Sequence, residues 1–548
     1  MRFCFLFLFL EIVFIACEPS IAPLNQWESY DETEELNANS EHSIARMRYK
    51  RIQSKHTDRN ELFIPFEKAL SSFTQKDHEA LKPYILEQNI PTLQKNIQEG
   101  YLTYEKLTLF YLYRIYHYEL QRDTYLNAII SLNPHVLEQA RLCDQERPKK
   151  LAHPLYGMPI LLKDNIDAVP MATTAGAAAL AQNYPSQDAF ITKQLKNKGA
   201  LILGKVNLSE WAYYFCQGCP VGYSALGGQT LNPYGRRKFE TGGSSSGSGV
   251  AVAANYAVGA IGSETSGSIL SPSGKNSVVG LKPTIGLLSR SGIVPISSSL
   301  DTAGPMTKNV IDNAILMNAL VGEDPQDAYS FKSTSIRFDH LDTVSLKGKR
   351  LGVNRKFEED SLLQIALRKM KLAGAIIISF DPPEIDMDQF RRLLDVDMRA
   401  DLPKYLNTFA NSELQFDSVK DIVAFNLKDS LLHAPYGQGI FNGIIKETTS
   451  QAEFEQQKKL LMQTASSYFQ EVTEAHTLDA FISIDNYSAR NAAAAHYPAL
   501  GVPMGYTLNG QPKNITFIAP SKKEQLLLEL GAAFERLGAS RKTPLLFQ

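Results

Sequence analysis

Two Gly/Ser-rich stretches hold the residues best suited to chemistry. The first reads Glu-Thr-Gly-Gly-Ser-Ser-Ser-Gly-Ser-Gly-Val-Ala-Val-Ala-Ala (240–254), and the second Gly-Ser-Glu-Thr-Ser-Gly-Ser-Ile-Leu-Ser-Pro (262–272). Gly242, Gly243, Gly247 and Gly249 permit tight turns and close backbone approach. Ser244, Ser245 and Ser246 place hydroxyls where the chain is about to enter a helix, and the run 250–257 is small and apolar, as in a helix packed closely on a sheet. Two hydroxyl-rich turns bracketing one buried helix can bring two serines into a single pocket, an arrangement for nucleophilic attack. By composition alone such clusters are flexible linkers. Linkers, however, do not carry an apolar helix between their halves, nor do they accompany a lysine-bearing apolar segment such as Gly-Met-Pro-Ile-Leu-Leu-Lys-Asp-Asn-Ile-Asp (157–167). His153 lies near that segment and invites a Ser-His-Asp reading. The string 243–247 has Gly-x-Ser-x-Gly spacing, but His153 precedes it rather than following in the order Ser-Asp-His, so His153 reads as a bystander.

The elements that must position these residues follow from periodicity. Helical spacing covers 61–99, and a helix over 103–119 presents Leu107, Phe110, Leu112, Ile115 and Tyr116 as a continuous apolar face. Asn133-Pro134 breaks the chain before a helix at 135–146. From residue 189 the pattern alternates. A helix at 189–198 stops at Gly199 and is followed by a strand at 200–203, with further strands at 350–353, 375–379, 480–484 and 516–518. Helices at 360–372 and 450–469 lie between them. This alternation predicts an α/β fold with helices on both faces of a sheet. The region 384–443 is more helical and is expected to build one wall of the substrate pocket.

The chain has 548 residues, 44% of them hydrophobic, enough for a large core. Its 56 basic and 58 acidic residues nearly balance and form no long basic block, so nothing marks a nucleic-acid surface. Met1 and Arg2 precede an apolar run to Ala16 that is too short to span a bilayer and reads as an export signal. It ends in Phe-Ile-Ala-Cys (14–17), similar to a bacterial lipoprotein cleavage box, so residues 1–17 are expected to be a signal with Cys17 as the lipidated first residue of the mature chain. Residues 18–59 are polar and read as a tether, and 60–548 as the catalytic body. The membrane would then be reached only through the lipid, with the enzyme exported and facing the periplasm or cell surface. Cys216 and Cys219 have C-x-x-C spacing without a second pair or a nearby His, which favours a local disulfide or two free thiols over a metal site.

Several segments together carry a family resemblance. They are Gly-Met-Pro-Ile-Leu-Leu-Lys-Asp-Asn (157–165), Gly-Lys-Val-Asn-Leu-Ser-Glu-Trp (204–211), Gly-Gly-Gln-Thr-Leu-Asn-Pro-Tyr (227–234), Gly-Ser-Ser-Ser-Gly-Ser-Gly (243–249), Ser-Gly-Ser-Ile (266–269), Val-Gly-Leu-Lys-Pro-Thr (279–284) and Ser-Leu-Asp-Thr-Ala-Gly-Pro-Met (299–306). In this order they resemble the amidase-signature hydrolases, and within them the bacterial peptide amidases, from about Pro91 to the C-terminus. The resemblance implies a central mixed, twisted sheet covered by helices on both faces. It also implies a triad of Ser268 as nucleophile, Ser244 after a cis peptide bond as bridge, and Lys163 as base. The N–H groups of Thr265, Ser266, Gly267 and Ser268 would form the oxyanion hole, with neither metal nor cofactor required. A lysine acts as base only when unprotonated, so its pKa must fall from near 10.4 by burial and by exclusion of anions. Asp164 and Asp167 are therefore expected to point away from it.

Ser266 stands where the broader family has Gly, and Leu270 where it often has Arg, which leaves Glu264 to find another partner. The implied reaction is cleavage of a carboxamide, as in a peptide C-terminal amide or a small amide, through an acyl-enzyme. An amidotransferase subunit releasing ammonia from glutamine, a lipid amide hydrolase at the membrane and a non-catalytic surface lipoprotein remain open beside it.

Overall fold

The computed structural model describes residues 26–333, 335–538 and 540–548. The signal-like segment and Cys17 lie outside them. Eleven strands form one sheet: β1 Ile129–Leu132, β2 Pro159–Lys163, β3 Leu201–Val206, β4 Gly259–Glu264, β5 Val279–Lys282, β6 Thr302–Thr307, β7 Arg350–Asn354, β8 Ile376–Phe380, β9 Ala480–Ile484, β10 Ala499–Tyr506 and β11 Pro512–Ile518. Their spatial order is β1-β3-β2-β4-β6-β5-β10-β11-β9-β7-β8. Pairing is parallel for β3-β2-β4 and for β9-β7-β8, and antiparallel elsewhere. The sheet is therefore mixed, as the resemblance implies. β2 to β6 are buried along their whole length, which requires cover on both faces and explains why they read as continuous apolar or Gly-rich runs.

The helix Ser246–Ala253 is wholly buried against this sheet. Its small residues make that possible: a Cβ on Gly247 would meet Asn207 O at 2.4 Å and Ala128 O at 2.7 Å. Arg114, fully buried in the helix Tyr104–Glu119, closes its far end by donating to Ala254 O (2.9 Å), Asn255 O (3.0 Å) and Phe547 O (2.6 Å). A guanidinium in that place satisfies carbonyls that have no intrahelical partner and opposes the negative end of the helix.

A second apolar cluster lies under the helices Phe390–Thr408, Gly439–Lys446 and Gln451–His476, with Leu393, Leu402, Phe441 and Phe469 at its centre. It also takes in Trp211 and Phe215, so the helical region 384–443 is fastened to the segment that follows β3. Among the described residues no helix is long and apolar enough to cross a membrane.

The expectation of a loose tether over 18–59 fails for its described part. Residues 26–59 are packed onto the body: Met47, Tyr49 and Ile52 are buried, and Trp27 sits edge-on to Tyr125 at 5.1 Å and under the Arg59 guanidinium at 4.2 Å. The Glu32 carboxylate accepts from the Ile52 and Gln53 N–H groups (3.1 and 2.8 Å), while Ile52 O accepts from Gln229 N (2.8 Å) and Asn127 Nδ2 (3.0 Å). The segment is polar in composition, yet its few large apolar residues are each placed to bury.

Candidate active site

Parallel pairing brings the reactive groups together. β2 and β4 run side by side in the register Ile160↔Gly259 to Leu162↔Ile261, so both deliver their last residues to the same edge of the sheet. Lys163 ends β2 and Ser263-Glu264 ends β4. Lys163 is fully buried, and its Nζ lies 2.7 Å from Ser244 Oγ, 2.8 Å from Ser263 Oγ and 3.2 Å from Ser263 O. A carbonyl oxygen can only accept, and Ser263 Oγ already accepts from Asn165 Nδ2 at 3.0 Å. Lys163 Nζ donates to the Ser263 carbonyl, and when neutral its lone pair can accept from the Ser244 hydroxyl. Burial lowers the Lys163 pKa to about 7, against the opposing influence of the Asp301 and Glu264 charges.

The peptide bond between Gly243 and Ser244 is cis. Three contacts hold this loop: the Ser209 N–H donates to Ser244 O (3.0 Å), the Ser245 N–H to Ser268 O (3.1 Å), and Ser245 Oγ to Ser263 O (3.0 Å). Gly242, with φ +64°, lies where a Cβ would stand 2.7 Å from backbone atoms of Pro272. Ser268 is thus placed beside the Ser244–Ser245 backbone. Its side chain is partly exposed, and among the described residues its hydroxyl has no hydrogen-bond partner.

The turn 264–270 is organised by Glu264, which lies in the Gly-Ser-Glu-Thr string but whose task could not be read there. Its Oε1 accepts from Gly267 N (2.7 Å) and its Oε2 from Ile269 N (2.6 Å) and Leu270 N (3.0 Å). Three backbone donors thus occupy the carboxylate next to Leu270, the position expected to lack an arginine partner. The same contacts correct the expected oxyanion cradle. The Gly267 N–H is committed to Glu264, while those of Thr265, Ser266 and Ser268 have no acceptor among the described residues.

Asp164 and Asp167 do face away from Lys163. Asp164 forms a fully buried ion pair with Lys205 (3.3 Å) and accepts from the Thr174 hydroxyl. Asp167 accepts from Tyr405 OH at 2.8 Å, and burial pushes its pKa up to about 7. His153 engages Asn318 Oδ1 (3.0 Å) and the Leu155 N–H (3.2 Å), in keeping with a bystander. Cys216 and Cys219 are joined in a disulfide. Sequence reasoning missed Ser263 as a partner of Lys163 and Asn165 as the donor to Ser263 Oγ, although both lie inside strings it had singled out.

A cleft of about 670 Å³ opens beside this centre, with Asn165, Ser263 and Thr265 on its inner wall. The segment 290–302 forms one side, and residues 401–409 of the Phe390–Thr408 helix and its end form the other. The helical region 384–443 therefore does supply part of a wall, as expected.

Comparison with known proteins places the chain in a family. The Amidase family model matches residues 106–528. A protein described as a probable amidase of Arabidopsis thaliana is 35% identical over 480 residues, covering 84% of this chain and 92% of that protein. Among solved structures, an amidase family protein from Bacillus anthracis superposes with a TM-score of 0.85 at 35% identity, over 90% of this chain and 99% of that one. The native peptide amidase of Stenotrophomonas maltophilia superposes with a TM-score of 0.79 at 37% identity, over 84% and 99%. Since the match takes in most of the chain, the sheet and the strings around Lys163, Ser244 and Ser268, this chain belongs to the amidase-signature family.

Proposed function

We propose that the protein is a serine amidohydrolase in which Ser268 attacks, Ser244 bridges and Lys163 is the base. The observation that carries this reading is the buried Lys163 amine, 2.7 Å from Ser244 Oγ, in no carboxylate ion pair among the described residues and with its pKa lowered to about 7 by burial. Once the Ser268 hydroxyl turns to donate to Ser244 Oγ, neutral Lys163 takes the Ser244 proton as Ser244 takes that of Ser268, and Ser268 Oγ bonds to the amide carbon. The N–H groups of Thr265, Ser266 and Ser268 receive the oxyanion, each effective donor contributing about 3–4 kcal/mol. On collapse the C–N bond breaks, and the proton on Lys163 returns through Ser244 to the leaving nitrogen. Water then cleaves the ester by the same relay, giving acid and regenerated Ser268.

The similarity to a peptide amidase favours peptide C-terminal carboxamides or small primary amides as substrates. The test combines two readouts on purified protein: ammonia release from a panel of amides, and labelling by a fluorophosphonate located by peptide mass spectrometry. Turnover with the label on Ser268 is expected. A label on another serine overturns the assignment, and ammonia from glutamine alone favours the amidotransferase-like reading.

The N-terminal pattern extends the proposal to location: residues 1–17 direct export and Cys17 carries a lipid anchor. Cys17→Ala is expected to move the protein from the membrane fraction to the soluble exported fraction. An unchanged distribution counts against the anchor.

A further inference from the structure

The cleft beside the catalytic turn has a chemical character that narrows the substrate. Its walls are largely apolar, from Ile293, Val294 and Ile296 on one side and Tyr405 and Phe409 on the other. Five charged side chains line it: Asp301, Asp327 and Asp401 against Arg290 and Lys404. Carboxylates are therefore in excess, and both cations are already engaged. The Arg290 guanidinium is held from two sides by the Asp327 carboxylate and also donates to Ser298 O. Lys404 pairs with Asp401 at 3.0 Å, and its side chain is 72% exposed, so its head lies at the rim in water. The polar group left over at the inner end is an acceptor. Asn165 is 2% exposed, donates to Ser263 Oγ, and has no partner for its Oδ1 among the described residues.

We propose that this cleft receives the acyl part of the substrate and selects uncharged apolar groups, tolerating a cation and rejecting a carboxylate. The proposal rests on the hydrolase reading above and makes it narrower. An apolar side chain gains by leaving water against Ile293, Val294 and Phe409. A carboxylate would give up its hydration without finding an unpaired cation, and would meet Asp301, the lining carboxylate that no cation pairs among the described residues. A cationic group meets that same single carboxylate as an attraction. The carboxylate of free glutamine finds no counter-ion here, which sets this cleft apart from one built for that amino acid.

The test compares N-acetyl-leucinamide, N-acetyl-lysinamide and N-acetylisoglutamine, which differ in side-chain charge at the amidated residue. The expected kcat/KM for the leucine amide exceeds that for the glutamate amide by about tenfold or more, with the lysine amide between them. A glutamate amide turned over within about threefold of the leucine amide overturns the proposal. Asp327→Asn, which frees Arg290, is expected to move the ratio about tenfold towards the glutamate amide, and Asp401→Asn does the same should the first variant not fold. An unchanged ratio in a folded variant also overturns it. If none of the three amides is hydrolysed, the hydrolase reading fails by itself. The cleft is then tested by calorimetric titration of Ser268→Ala with N-acetyl-leucinamide and N-acetylisoglutamine. Tighter binding of the leucine amide upholds the charge selection, and equal or reversed affinity ends it.

Discussion

Lys163→Met is expected to lower kcat/KM by about 10⁴-fold while leaving the protein as stable as before or more so. The two halves of this result share one cause. Burial disfavours the ammonium and brings the Lys163 pKa down to about 7. An amine that is half unprotonated near neutrality can accept the Ser244 proton, so kcat/KM should rise with pH through about 7 and fall about tenfold per pH unit below it.

The same shift costs stability, and its sign can be worked out. A lysine with a depressed folded-state pKa is charged in the unfolded chain and neutral in the folded one between the two values. The penalty is therefore absent above the unfolded pKa near 10.4, grows as the pH falls, and is complete below about 7. Its full size is on the order of 4 kcal/mol, reduced in the variant by the hydrogen bonds that methionine cannot make to Ser244 and Ser263. Denaturant melts at pH 7 and pH 10 should show a larger gain for Lys163→Met at pH 7. Retained amide hydrolysis, or a variant less stable at pH 7 than at pH 10 relative to the parent, would remove the lysine from the mechanism.

How much of this was legible in the sequence depended on how local each feature is. Lys163 and the serines lie in contiguous strings whose order carried the family resemblance, and the ends of the parallel strands β2 and β4 bring Lys163 to Ser263, with Ser244 beside it. The strand 480–484 and the helix of 103–119 are carried by local periodicity and appear almost as expected, the helix as Tyr104–Glu119. β1, β2, β4, β5, β6 and β10 were not read as strands; β2, β4, β5 and β6 are buried along their whole length and have no alternation to detect. The misread tether has a similar cause. Trp27, Met47, Tyr49 and Ile52 are too sparse to show a period, and their partners Tyr125 and Gln229 are far away in the chain. The capture of the Gly267 N–H by Glu264 depends on where one backbone bond points, which residue types do not encode. Cleft selectivity is likewise a matter of pairing, since Arg290 would read as a free cation until Asp327 is seen beside it.

Lys205→Met is expected to destabilise the protein by about 3–5 kcal/mol, the largest stability loss foreseen here. Lys205 and Asp164 are both fully buried and 3.3 Å apart, and burial pushes the Asp164 carboxyl up and the Lys205 amine down while each charge supports the other. Removing the amine leaves Asp164 with the Thr174 hydroxyl and the Thr174 N–H (3.3 Å), which do not balance a buried charge. The carboxyl then escapes by taking a proton, and this gives the loss a pH signature. Its folded pKa stands above the unfolded value near 3.9, so the penalty is absent below about pH 4, grows as the pH rises, and levels off above the folded pKa. Urea melts at pH 4.5 and pH 8 should therefore differ, with the variant closer to its parent in acid. Adding Asp164→Asn removes the stranded charge, and the double variant should recover much of the stability. Since Asp164 follows Lys163 directly, the double variant also separates folding from chemistry. If the pair only keeps Asp164 neutralised and turned away from Lys163, the double variant keeps the kcat/KM pH profile of its parent. A profile displaced towards alkaline pH would mean that the Lys205–Asp164 pair itself sets the basicity of Lys163. A single variant as stable as its parent at pH 8 would show that the pair was never ionised.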